Sequence, residues 1–149
     1  MVGRIVVALF VLICPATVSA ESIVNKSDAD HIFSINLNAW NAYAAGMTHP
    51  DGWKVKLSNQ DTGITVMAFS PTTGMGMSIQ PLYKNDVEPP HQLIVGSFYP
   101  KGSLPPFSKD FRKKLESEAQ KDLGRNYSIR AIRADISTWD GIELILTRR

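Results

Sequence analysis

The side chains best suited to acid–base chemistry near neutral pH are the three histidines, His31, His49 and His91. His49 lies two residues before Asp51 in a proline-containing loop, so the pair could act as a base and the carboxylate that orients it. A Gly-x-Ser-x-Gly turn would expose a nucleophilic serine, but no serine of this sequence lies in that pattern. The sequence therefore predicts no catalytic residue. It leaves open a small periplasmic hydrolase-like enzyme that uses a loop histidine.

Acidic side chains and a histidine crowd the start of the predicted folded region. Asp28, Asp30 and His31 could together bind a divalent metal. Asp28 and Asp30 could equally mark the start of a helix, because the helix dipole favours acidic residues there. No second cluster with ligand spacing completes a site. We therefore predict no metal site and no cofactor.

Methionines recur on two predicted neighbouring strands. Met67 lies on one strand, and Met75 and Met77 alternate along the next. Thioether sulfur is a soft ligand that suits Cu(I). Alternating methionines are also common filling for a hydrophobic core. A small-ligand or copper carrier is therefore an alternative function, and core packing is the alternative role for these side chains.

Positive charge is concentrated in the second half of the chain. Residues 101–133 carry nine basic and four acidic side chains, whereas residues 21–100 carry four basic and seven acidic ones. The candidate partner surface consists of Arg112, Lys113, Lys114, Lys121 and Arg125. The interspersed Phe107 and Phe111 fall on the apolar stripe of a predicted helix, where they cannot stack on bases. We therefore expect a protein partner and no nucleic acid.

The first twenty residues have the pattern of a secretory signal peptide. Arg4 precedes a nine-residue apolar run, and small residues at Val18-Ser19-Ala20 predict cleavage between Ala20 and Glu21. The apolar run is too short to span a bilayer of about 30 Å. The single cysteine, Cys14, follows the large Ile13, which disfavours lipidation, and cleavage would remove it. We expect an exported protein without a membrane span, in the periplasm or secreted, with a cysteine-free mature chain.

The remaining sequence predicts one domain built mainly from strands. Residues 21–30 are polar and are predicted to form a flexible mature N-terminus, followed by a single globular domain over 31–149. A helix ending at Gly46 comes first, with a short strand before Trp40 as the alternative. Alternating apolar residues then predict an antiparallel meander of three strands and a central fourth strand over 92–99.

The clearest helix covers about 108–123, with Ser108 as its N-cap and Gly124 at its end. A closing hairpin is predicted around the turn dipeptide Asp140-Gly141, with a bulge between Ala131 and Ile132. The fold class is therefore α+β. We expect a mostly antiparallel sheet of five to six strands, with an N-terminal helix and one amphipathic helix packed on it.

Two short segments carry a resemblance to a known family. Asp51-Gly52-Trp53-Lys54-Val55 and Trp139-Asp140-Gly141-Ile142-Glu143-Leu144 lie where PsbP-like proteins have comparable strand and turn patterns. The chain resembles these α/β/α sandwich envelope and accessory proteins in the order of its elements over 51–149. The resemblance implies a non-catalytic accessory or binding role, and it carries over no functional residue.

These observations favour a small exported binding or accessory protein that acts through protein–protein contact. An envelope assembly factor and an inhibitor or immunity protein would both fit. The expected partner is another envelope or secreted protein, and the sequence leaves the oligomeric state open.

Overall fold

The structure, a computed structural model, describes residues 24–49, 51–60, 62–136 and 138–149. The predicted cleavage site at Ala20 and Glu21 lies outside this part of the chain. Within it, no helix is long and apolar enough to cross a membrane. The elements are α1 (Lys26–Ile32), α2 (Leu37–Ala45), β1 (Lys54–Gln60), β2 (Gly63–Phe69), β3 (Gly76–Leu82), β4 (Gln92–Pro100), α3 (Lys109–Leu123), β5 (Tyr127–Arg133) and β6 (Trp139–Arg148).

Six strands form one antiparallel sheet in the order β1-β2-β3-β4-β6-β5. The predicted α+β class and strand number are confirmed. β4 lies between β3 and β6, as its apolar residues on both faces predict. β1 is an edge strand, and this leaves Val55 and Leu57 38% and 42% exposed although the sequence predicts them on a half-buried face.

Two asparagines divide the N-terminal region into two short helices. The Asn25 side chain accepts a hydrogen bond from the Asp28 N–H at 2.8 Å, and the Asn36 side chain accepts one from the Ala39 N–H at 3.0 Å. Each asparagine therefore acts as an N-cap. The predicted helix that ends at Gly46 is confirmed as α2, but it begins only at Leu37, and a separate helix, α1, precedes it. The alternative of a short strand before Trp40 is wrong.

The segment predicted to be a flexible N-terminus is helical from Lys26 onward. Val24 is only 2% exposed and lies in the main hydrophobic core. The prediction for 21–30 therefore differs from the structure over residues 24–30. Burial of a few apolar side chains, together with the Asn25 cap, holds this segment against the sheet.

All three helices pack on the same face of the sheet. The core combines Ala29, Ile32, Phe33, Trp40, Ala44 and Leu123 with strand residues Val66, Ala68, Met77, Ile79, Leu93, Val95 and Leu146. The Trp40 indole N–H also donates to the Ile64 carbonyl at 2.8 Å, which ties α2 to the start of β2. Because side chains alternate along a strand, the other residues of each strand point to the opposite face.

The C-terminal hairpin does not turn at Asp140-Gly141. Both residues lie inside β6, and the strands close instead at the Ile136–Trp139 bridge. Pairing runs without interruption from Tyr127–Arg148 to Arg133–Ile142, so the predicted bulge is also absent there. Gly141 is required by close approach rather than by a turn, because a Cβ at this position would lie 2.1 Å from the Ala134 carbonyl oxygen.

Candidate functional site

Helix α3 has the capping residues that its sequence predicts. The Ser108 hydroxyl accepts a hydrogen bond from the Phe111 N–H at 3.1 Å, and Gly124 ends the helix with a φ of 82°. The Gln120 amide donates to the Gly124 and Tyr127 carbonyls at 2.6 and 2.9 Å. These bonds fix the C-terminal end of α3 to the start of β5.

The buried side of α3 faces the sheet, as predicted. Leu115, Ala119 and Leu123 are each at most 5% exposed. Phe107 and Phe111 are half-buried, stack edge to face with centroids 5.9 Å apart, and pack around Leu115. The cations of α3 are therefore directed away from this apolar contact.

All five side chains of the predicted partner surface are exposed, but they do not share one side of the helix. They are Arg112, Lys113, Lys114, Lys121 and Arg125. The Arg112 guanidinium lies 3.7 Å from the Glu116 carboxylate, which in turn accepts the Ala131 N–H of β5 at 3.0 Å. Arg112 is thus beside β5, and its charge is partly offset by Glu116.

Three of the cations form a narrower group. Lys114 and Lys121 are seven residues apart, about two helical turns, so they lie on the same outward side of α3. Lys121 and Arg125 border one shallow groove together with Gln120 and Ile129. We call Lys114, Lys121 and Arg125 the cationic helix surface.

The histidines are dispersed over the surface. All three are exposed. The His31 ring packs against Tyr43 with centroids 4.8 Å apart. His49 borders a small cavity of about 20 Å³ whose other lining residues include no carboxylate, and Asp51 is exposed. A hydrolase-like role for His49 and Asp51 stays a prediction.

The acidic residues near His31 have structural partners. Asp28 completes the cap of α1, and burial raises the pKa of its carboxyl group. Asp30 pairs with Lys26 at 2.5 Å and accepts the hydroxyl of buried Tyr127, and these bonds lower its pKa. Among the described residues, no group of three histidine, cysteine or acidic side chains is placed to hold a metal.

The three methionines named from the sequence lie in different environments in the fold. Met77 is buried in the core, whereas Met67 lies at the alternate position of β2 and points to the other face. Met75 packs at the edge of the core. Met47, His49 and Met77 line the same small cavity. Met47 was not a candidate in the sequence because it is thirty residues from Met77.

A second feature missed by sequence reasoning is a buried carboxylate. Asp140 is 4% exposed, and its side chain accepts the Gly102 N–H at 2.8 Å and the Leu104 N–H at 3.4 Å. Lys101 and Arg133 approach it at 3.5 and 3.4 Å. Asp140 thus fixes the loop that leads to α3 onto the sheet.

The third such feature is the sheet face opposite the helices. One row across five strands consists of Met67, Ser78, Gly96, Glu143 and Ile132. Two flanking rows contain Phe69, Gly76, Phe98 and Gly141 on one side, and Gln80, Ile94, Ile145 and Arg130 on the other. We call the whole sheet face to which these rows belong the helix-free face, and it also includes Lys54 and Lys56 of β1. No described helix packs on it.

Comparison with known proteins returned no relative. No family model matches this chain. No curated protein and no solved structure matches it either. The likeness to PsbP-like proteins therefore rests on element order and the two short segments, and it stays a prediction.

Proposed function

We propose that this chain is a small exported binding or accessory protein of the periplasm, which acts through contact with another envelope or secreted protein. An envelope assembly factor or an inhibitor of a secreted toxin would have this form. The observation that carries the proposal is the cationic helix surface, exposed on a helix whose other side is anchored to the sheet. The signal-peptide pattern of residues 1–20 supports the location.

The anchoring of α3 supports a role in recognition. Glu116 and Gln120 bond to backbone groups of the β5 strand and its approach, so the helix cannot easily turn about its axis. Charges held in fixed positions select a partner with the complementary pattern and speed the encounter. The expected partner surface is therefore acidic, and binding should weaken as salt concentration rises.

Reversal of two cations tests this surface. We expect Lys121→Glu with Arg125→Glu to reduce recovery of the bound partner at least about tenfold, since a tenfold loss corresponds to only about 1.4 kcal/mol. The measurement is cross-linked capture from extracts of the native envelope, quantified by mass spectrometry. The matched control reverses two exposed cations far from α3, Lys54→Glu on the edge strand β1 with Lys84→Glu.

The control has the same net charge as the test variant, so a general charge effect would reduce recovery in both. Circular dichroism checks that both variants are folded. Equal recovery of the same partner by the wild type and the Lys121/Arg125 variant would show that the cationic helix surface is not the contact.

A second candidate function, a Cu(I) carrier, is favoured by one observation. Two thioethers and one imidazole, from Met47, Met77 and His49, line a single small cavity. Thioether sulfur selects Cu(I), and imidazole is also a copper ligand. Of the methionines named from the sequence, Met67, Met75 and Met77, this cavity is lined by Met77, and Met47 and His49 join it there.

Copper titration tests the carrier. We expect the wild type to compete for one equivalent of Cu(I) with a chromogenic chelator under reducing conditions. Met47→Leu with Met77→Leu should weaken binding at least about tenfold, because leucine keeps a similar volume and removes both sulfur ligands. Met67→Leu on the other face is the control and should bind as the wild type does. A wild type that takes no Cu(I) from the chelator excludes this function.

A further inference from the structure

The helix-free face is more apolar than an antiparallel sheet usually presents to water. Such sheets commonly alternate apolar residues toward the core with polar residues outward. Here Ile94 and Ile145 are direct partners on β4 and β6, and Ile132 lies beside them on β5. All three are half-buried, and no helix of the described residues lies above them. A continuous apolar area of this kind is typical of an interaction surface.

A carboxylate with no partner among the described residues lies in the middle of this area. Glu143 is directly opposite Gly96 on one side and Ile132 on the other. No described residue gives its carboxylate a hydrogen bond or an ion pair, and burial raises its pKa. A half-buried charge without a partner is unfavourable, and a cation placed above it would remove that cost.

The same face carries a cation suited to this role. Arg130 is exposed, and it opposes Ile145 in the row next to Glu143, so Arg130 and Glu143 are diagonal neighbours on adjacent strands. Within the described residues neither side chain forms an ion pair with the other or with a third residue. The other basic residues of this face, Lys54 and Lys56, are on β1 at the far edge.

We propose that the helix-free face is the interface of a symmetric homodimer, in which Glu143 of each subunit pairs with Arg130 of the other. A two-fold axis in the plane of the interface, midway between these two side chains, brings each one over its opposite charge. Both pairs form at once, because a two-fold interface uses the same patch on both subunits. Ile94, Ile132 and Ile145 then pack against their counterparts and exclude water.

The size of the face fits this arrangement. With strands about 4.8 Å apart and about 3.3 Å per residue, six strands of roughly seven residues present roughly 650 Å² of flat area. A stable dimer typically buries about 800 Å² per subunit. The helix-free face therefore has about the area that a modest dimer needs, and α3 stays free on the other side.

Charge exchange tests the pairing. The measurement is sedimentation velocity over a wide range of protein concentrations. The protein is expressed from the complete sequence and purified in whatever processed form the cells produce. We expect a wild-type dimer, and each single reversal, Glu143→Arg or Arg130→Glu, should raise its dissociation constant at least about tenfold. The double exchange should restore dimerisation, because the two charges swap places and the pairs form again.

Arg125→Glu on the cationic helix surface is the control and should dimerise as the wild type does. Circular dichroism of each variant checks its folding, and the double exchange has the composition of the wild type. A wild type that stays monomeric throughout, a dimer that both reversals leave unchanged, or a double exchange that does not recover would overturn the proposal. None of these outcomes bears on capture by the cationic helix surface.

Discussion

Gly141→Ala is expected to lower the free energy of unfolding by about 3 kcal/mol, at the upper end of the usual cost of overpacking. An alanine Cβ at this position would lie 2.1 Å from the Ala134 carbonyl oxygen and 2.8 Å from two atoms of the Phe98 ring. The carbonyl belongs to the backbone opposite, so the strand pairing itself must shift to relieve the contact. Urea unfolding followed by fluorescence measures the loss.

A matched glycine elsewhere gives the control. Gly46→Ala places its Cβ no closer than 3.7 Å to the preceding helical carbonyls, and Gly46 has a φ of −99°. It should leave stability within about 0.5 kcal/mol of the wild type, as most substitutions without a specific mechanism do.

A double-mutant cycle with Phe98→Leu distinguishes the observed position of Gly141 inside β6 from the predicted position in a hairpin turn. Because the Phe98 ring lies over Gly141, a smaller side chain relieves part of the overlap, and the two substitutions should couple by about 1 kcal/mol. If Gly141 were instead in a hairpin turn, it would be remote from Phe98. Strictly additive effects would therefore contradict the register of β6.

Local patterns predict most of the elements of this fold. Ser108 and Gly124 mark α3 because a cap and a C-terminal glycine act through backbone groups within a few residues. β4 is identified as central because apolar residues occupy both of its faces. Similar local information is present at Asn25 and Asn36, but Asn25 lies in a polar segment predicted to be flexible, and the apolar spacing across Asn36 resembles one continuous helix.

The wrong predictions concern segments whose conformation depends on residues far away in the sequence. Asp140-Gly141 has the composition of a turn, yet Gly102 and Leu104 bind the carboxylate, and the Ala134 carbonyl and Phe98 leave no room for a side chain at Gly141. Apart from the contact with Ala134, these contacts join residues at least 36 positions apart in the chain. A dipeptide pattern cannot distinguish a glycine that permits a turn from one that permits close approach of two strands.

Among the candidate sites too, those that depend on local sequence patterns could be predicted, and those that depend on long-range contacts could not. Exposure of Lys114 and Lys121 follows from the helical period alone, and the structure confirms it. The helix-free face could not be predicted, since alternation along β6 separates Glu143 from Leu144 but does not tell which face the helices cover. Likewise, Met47 and Met77 border one cavity only because α2 and β3 meet in the fold.

Asp140→Asn is expected to lower the thermal midpoint at neutral pH and to remove part of the acid sensitivity of the protein. Burial alone would raise the pKa of Asp140, but the Leu104 and Gly102 N–H groups and the charges of Arg133 and Lys101 outweigh it, so the pKa is below the ordinary 3.8. The folded state thus favours the ionised carboxylate, whereas asparagine offers neither the charge nor two acceptor oxygens.

The sign of the effect follows from this lowered pKa. The ionised carboxylate contributes its full stabilisation above the unfolded value of 3.8, and that contribution is lost as pH falls through the lower folded value. The difference in thermal midpoint between wild type and Asp140→Asn should therefore be greatest near neutral pH. It should shrink steadily as pH falls from about 5 to below 3.8.

Asp86→Asn, in an exposed loop, is the matched control and should follow the wild-type midpoint across the same pH range. A difference between wild type and Asp140→Asn that stays constant from neutral to acidic pH would contradict this account, because it would mean that the side chain acts through shape alone. The expected convergence instead assigns the effect to the ionised carboxylate. It would also show that the loop before α3 is fixed to the sheet by charge, since Lys101 and Arg133 lose their common partner when Asp140 is protonated.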